Sequence, residues 1–247
     1  MIEAKPSQIN DAEDWFPSIK QISISLNALK NRSRDVYINA LDLVNGISRD
    51  LLRAAKNDYE NYQEIEDSIN NKIEVFILFS DEISNKSIDH FINSIKKSIR
   101  IIIGKCKKLE EQEVNKIRGL LTEAIACSFL GDVSQPNAKR FLWDCLFYKD
   151  NELLYINNAN GNQIYSTDIY YFNNVICLCE CKTTPHFKTY QVEFMEYIKQ
   201  EYQKEGNDVQ LYVFVLNYSV NPSLQNEMNK LTDNFKLKTL DDIKEAI

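Results

Sequence analysis

Histidine is nearly missing from this chain: His90 and His186 are the only two in 247 residues. A multi-histidine zinc or iron centre is therefore excluded. An excess of basic charge is also lacking. The formal net charge is −7, which counts against a broad non-specific nucleic-acid surface but leaves room for a local positive groove. Long apolar runs are absent too, since the run Ile99 to Ile103 is far too short to cross a membrane. The opening stretch MIEAKPSQINDAEDW is acidic and polar and does not read as a signal peptide. Six cysteines are present, but none are spaced as a CxxC knuckle. Cys177, Cys179 and Cys181 alternate along one strand face, where neighbours diverge too far to chelate one zinc. They read as core thiols, and six reduced cysteines fit a cytoplasmic chain.

Hydrophobic residues make up 44% of the chain and charged residues 26%. That composition supports a substantial core in one large or two small domains. Residues 1–14 read as a polar arm. From Ile19 to about Asn57 the apolar spacing predicts a helix that tolerates Gly46. Tyr59 to Ser80 is again helical, with a strand from Glu74 to Phe79 as the competing reading. Ser87 is placed to cap a further helix through Ile88, Phe91, Ile95, Ile99 and Ile102. Residues 1–108 thus form a helical region suited to oligomerisation, recognition or support, and no motif in it carries evident chemistry. Lys96, Lys97, Arg100, Lys105, Lys107 and Lys108 make the most basic run of the sequence. It reads either as a solvated face or as a set of phosphate contacts, with Lys116 and Arg118 extending it toward Glu123.

Residues 109–247 change character. Glu111 to Leu130 is strongly helical and stops at Gly131. Arg140 to Tyr148 reads as a strand, followed by a run at Leu153 to Ile156 and a polar turn from Asn157 to Gln163. Tyr190 to Tyr202 is helical. Val209 to Leu216 has too few polar residues to alternate, as expected of a parallel strand buried on both faces. Residues 221–234 and 241–247 read as helices.

Between these lies TDIYYFNNVICLCECKTT, Thr167 to Thr184. Asn173 and Asn174 offer a turn between two strand-like runs, which makes a β-hairpin. Glu180 and Lys182 share one face of its second strand. Asp168 joins that face only if the connection has an odd number of residues, pairing Phe172 with Ile176. A two-residue turn would place Asp168 opposite Cys179, on the wrong side. Asp144 interrupts the preceding apolar strand and is the substitute acid. Two carboxylates supply the hard oxygen ligands that Mg²⁺ or Mn²⁺ takes, and a lysine beside them offsets charge on a phosphate. A plain salt bridge of Lys182 with either acid is the alternative.

Asp168, followed by Glu180-Cys181-Lys182 on the next strand, resembles the motif of the PD-(D/E)xK nuclease superfamily. The resemblance covers roughly residues 109–217, with Thr167 standing where many members have proline. It implies an α/β protein: a restriction-endonuclease-like α/β/α core with a mixed central sheet, preceded by the helical region. It also implies that Asp168 and Glu180 bind Mg²⁺, with Mn²⁺ able to substitute, and that Lys182 assists the attacking water. Glu123 on the helix before the sheet matches an additional metal-binding glutamate. Gln191 matches a glutamine that some branches place after the lysine strand. The implied activity is endonucleolytic hydrolysis of DNA by a restriction or phage-defence enzyme acting as a homodimer. RNA cleavage by the same fold, or an inactive nucleic-acid-binding or assembly module, are the alternatives. None of these involves a membrane partner.

Overall fold

The computed structural model describes residues 1–7, 10–11, 13–56, 62–83, 86–131, 141–184, 186–216, 226–229 and 231–247, the side chains of 54–56 excepted. The chain divides into two compact units. One comprises Met1–Ala12 and Gln135–Asp242, the other Glu13–Ser134 and Ile243–Ile247. The units therefore do not part at the expected 108/109 boundary. The helix at Glu111–Leu130 belongs to the helical unit, and the amino-terminal residues belong to the sheet unit.

The helical unit contains α1 (Phe16–Lys30), α2 (Arg34–Lys56), α3 (Tyr62–Ile83), α4 (Asp89–Cys106) and α5 (Glu111–Leu130). Where one long helix was expected from Ile19, there are two. Asn31 stands at the break, where its side-chain amide donates to the Asn27 carbonyl at 3.0 Å. Local amide bonds of this kind compete with helix continuation. Gly46 stays within α2, and α3 runs unbroken through Glu74 to Phe79, as the helical spacing predicted. The α4 N-cap is Ile88 rather than Ser87, and its side chain makes no cap bond. A reciprocal capping box of Glu110 and Glu113 opens α5, and Gly131 closes it. Buried Asn27 donates to Ser128 O at 3.1 Å and Gly131 O at 2.8 Å, so α1 satisfies carbonyls that the end of α5 leaves over.

The sheet unit is mixed α/β. Its strands are β1 (Ile2–Pro6), β2 (Phe141–Lys149), β3 (Glu152–Leu153), β4 (Ile156–Asn157), β5 (Gln163–Ile164), β6 (Ser166–Asn173), β7 (Val175–Lys182), β8 (Val209–Val215) and β9 (Phe235–Thr239), with α6 (Thr189–Lys204) between β7 and β8. A terminal helix α7 (Leu240–Glu245) ends the chain. Seven strands form the main sheet in the order β1-β2-β6-β7-β8-β9, with β3 paired to β2; β4 and β5 make a separate hairpin. Pairing is antiparallel from β1 through β7 and parallel across β7, β8 and β9. The expected amino-terminal arm is thus an edge strand, fixed by its ladder to β2 and by the Ile2 N–H donating to Glu205 at 3.0 Å. Of the helix expected over 221–234, residues 221–225 and 230 lie outside the described residues; of the rest only 226–228 are helical, and Phe235 opens a strand.

Helix α6 covers one sheet face. Phe194, Met195, Ile198 and Tyr202 pack on Ile176, Leu178, Val209 and Leu211. Burying each such side chain contributes roughly 1.5–3 kcal/mol. This apolar contact fixes where the first turn of α6 lies, next to the far end of β7.

Candidate active site

The site begins with the hairpin turn. Asn174 adopts a left-handed backbone, φ 63°, which asparagine tolerates better than most residues. It is the one residue between the paired Asn173 and Val175, and the ladder continues through Phe172↔Ile176 to Ile169↔Cys179. This is the register that the odd-length connection required. Extending it by one rung sets Asp168 opposite Glu180, and Glu180 and Lys182 lie on the strand face that α6 covers.

Asp168 marks an interruption on both sides. The β2–β6 ladder skips the rung between Asp144 and Asp168, where Asp144 is left-handed with φ 48°. The β6–β7 pairing stops one residue before Asp168. The Cys181 N–H beyond it donates to Asp168 Oδ2 at 2.6 Å, so a side chain takes the place of a backbone acceptor.

Glu180 is 4% exposed, yet it is fully engaged on one oxygen. Its Oε1 pairs with Lys182 Nζ and accepts a hydrogen bond from Gln191 Nε2 at 2.7 Å. Gln191 stands in the first turn of α6, where the packing of that helix delivers it. Its own Oε1 is buried with no partner among the described residues, an unmet acceptor in a polar corner. Glu180, Lys182, Lys188 and Gln191 also line a cavity of about 10 Å³ closed by Val192 and Met195.

The charges do not balance, because two carboxylates face one ammonium. Burial, and then the negative charge of Glu180, push the Asp168 carboxyl well above the ordinary carboxylate range, against the opposing pull of Lys182. The residue as a whole is half-buried. Burial would lower the Lys182 ammonium, but Glu180 and Asp168 outweigh it and hold it above its usual value.

The donor set fits a hard divalent cation. Asp168 and Glu180 each commit one oxygen to the protein and keep a second, Oδ1 and Oε2, and once Asp168 gives up its proton the pair carries one negative charge beyond what Lys182 offsets. Among the described residues no group of three or more His, Cys, Asp or Glu side chains gathers for a metal. Glu123 is half-buried on α5 in the helical unit, and within the sheet unit the candidate ligands are the two acids. Two carboxylates, with water or substrate phosphate completing the sphere, is a usual arrangement for Mg²⁺.

The other candidates have different surroundings. Asp144 accepts a hydrogen bond from Ser7 Oγ, just past β1, and its charge adds only the last influence on Asp168. His186 is largely exposed and stands 3.7 Å from Glu227. All six cysteines are free thiols, and five are buried. In the basic run, Lys105 pairs with Asp14 and Lys107 with Glu66 at 2.5 Å. Lys116 pairs with Glu13 at 3.0 Å. Arg118 is buried, donating to Ser48 O at 2.9 Å and Asn115 at 2.6 Å, so it does not continue a surface strip. Among the described residues, Lys96, Lys97, Arg100 and Lys108 have no ion-pair partner. Lys188 at the α6 N-cap went unnoticed in the sequence; its only signal was its place three residues before Gln191.

No family model matches this sequence, and no curated protein does either.

Proposed function

We propose that this chain is a metal-dependent endonuclease of the PD-(D/E)xK type, hydrolysing DNA phosphodiester bonds on a restriction-endonuclease-like core. One observation carries the reading: the hairpin register sets Asp168 opposite Glu180, while Lys182 and Gln191 converge on the same Glu180 oxygen. A structural salt bridge needs only one acid for its lysine. A second buried acid, held against its own ionisation, is the kind of perturbation found at functional sites.

On this reading Asp168 and Glu180 hold Mg²⁺ or Mn²⁺. The ion supplies Lewis-acid polarisation of a phosphoryl oxygen. Lys182 is a donor and not a base, because the two acids keep its ammonium protonated. It orients the attacking water and offsets charge growing on the phosphate oxygens. The water oxygen bonds phosphorus as its proton passes to solvent, the bond to the leaving oxygen breaks, and that oxygen takes a proton from solvent. Gln191 holds the Glu180 carboxylate in one orientation. Two copies acting on a palindromic duplex complete the reading.

The test incubates the purified chain with labelled duplex DNA and with RNA, each in Mg²⁺ and in EDTA. DNA cut in Mg²⁺ and intact in EDTA is the expected result. Cleavage of RNA alone would move the substrate class. Cleavage that persists in EDTA, or none on either substrate, would overturn the reading.

A further inference from the structure

The six cations of the basic run are not equivalent. Lys105 and Lys107, near the end of α4, are occupied by Asp14 and Glu66. Among the described residues Lys96, Lys97 and Arg100 have no such partner, and with Asn93 and Ile101 they line a shallow depression of about 440 Å³ along α4. These positions are spaced at three and four residues, so they share one helical face. From Asn93 to Arg100 they run along about 10 Å of helix axis. One turn beyond Arg100 lies Gly104, exposed, with nothing within 4 Å of where a Cβ would stand. The face is therefore cationic, amide-bearing and sterically open, in a chain whose net charge is −7.

We infer that this face of α4 binds the phosphate backbone of duplex DNA. Charge complementarity selects the occupant. A protein partner needs a desolvated apolar centre, and among the described residues Ile101, at 38% exposed, is the only large apolar side chain lining the depression. Phosphate oxygens are met instead by Lys, Arg and Asn side chains, without regard to base sequence. The inference deepens the nuclease reading by assigning a second, sequence-independent contact to the helical unit. It is measured without cleavage, so either proposal can fail alone.

The experiment uses the full chain in EDTA with a fluorescein-labelled 30-base-pair duplex, titrated at several salt concentrations. Three variants are compared with the wild type: K96A/K97A/R100A, K105A/K107A as the ion-paired control, and G104E. The last sets a carboxylate four residues from Arg100 and, replacing a helix-interior glycine, favours the fold. The triple variant is expected to bind roughly tenfold to a hundredfold more weakly, with its log–log salt slope smaller by about 2 to 3, as for three lost phosphate contacts. G104E is expected to weaken binding with no loss of melting temperature, and the control to keep the wild-type slope. An unchanged slope in the triple variant overturns the inference, as does a wild type that binds no duplex. Displacement of the duplex by polyglutamate at equal charge concentration also overturns it, in favour of an acidic protein partner. If binding behaves as expected while no Mg²⁺-dependent cleavage is found, only the catalytic reading falls.

Discussion

Two clusters of buried charge, one in each unit, are balanced in opposite ways. In the helical unit each described buried charge is answered. Asp50 accepts Ser68 Oγ at 3.1 Å and Lys72 Nζ at 2.5 Å, and the Arg118 guanidinium is held by Ser48 O and Asn115. In the sheet unit Asp168 and Glu180 share a single lysine, the Gln191 oxygen is unmatched among the described residues, and the Asp168 carboxyl is driven upward. Buried charge that is fully paired reports on folding. Buried charge left in excess points to something that still has to bind.

Breaking each kind of site should separate the two. The largest effect is expected from Glu180→Ala, which should lower Mg²⁺-dependent cleavage by on the order of 10³-fold or more, as for loss of a group that stabilises transition-state charge. Circular dichroism should show the fold retained. Wild-type cleavage by E180A would remove Glu180 from any active site.

Asp50→Ala should do the reverse. It strips Lys72 and Ser68 of their shared acceptor and should cost about 1–3 kcal/mol of stability by urea denaturation. Turnover per folded molecule should stay at the wild-type value. A matching loss of turnover would mean that the helical unit takes part in the chemistry.

Asp168→Asn tests the excess charge. A carboxyl raised on folding binds more protons in the native state, so the metal-free protein should lose stability as pH rises from the ordinary carboxylate range toward the raised value. Lys182 is raised as well, so its contribution persists below its elevated value and is lost only in alkali. Near neutral pH D168N should therefore melt a few degrees above the wild type, the shift expected for roughly 1 kcal/mol after allowing for the partly open surface. The gain should vanish near pH 4. Mg²⁺ should raise the wild-type melting temperature and not that of D168N, with proton release on binding seen by calorimetry in buffers of differing ionisation enthalpy. An equal Mg²⁺ response in both proteins would exclude Asp168 as a ligand.

The smallest change concerns the turn that sets the register. Asn174→Gly should be neutral or stabilising, while Asn174→Ala should cost up to about 1 kcal/mol because alanine is strained at positive φ. Equal stability of the two variants in thermal melts would show that the left-handed turn is not what fixes the hairpin.

Much of the organisation was written in local pattern. The apolar stripe of α5 and its stop at Gly131, the doubly buried run of β8 and the hairpin are each specified by residues a few positions apart. Side-chain alternation says which parity brings Asp168 to Glu180, but the two asparagines allow either turn, and the one-residue connection at Asn174 is decided by the folded hairpin. Long-range partners left no such trace. Nothing in IEAKP announces an edge strand until β2 offers its free backbone groups, and FKLKT becomes β9 only because β8 exposes an edge to it. The basic run looked uniform because a string of letters does not show that Asp14 and Glu66 fold onto two of its lysines. The chain itself determined which residues bear charge and which face of a strand or helix they occupy, since short-range geometry settles both. Only the tertiary structure decided which charges are neutralised and which are left in excess, because that balance depends on burial and on partners distant in sequence.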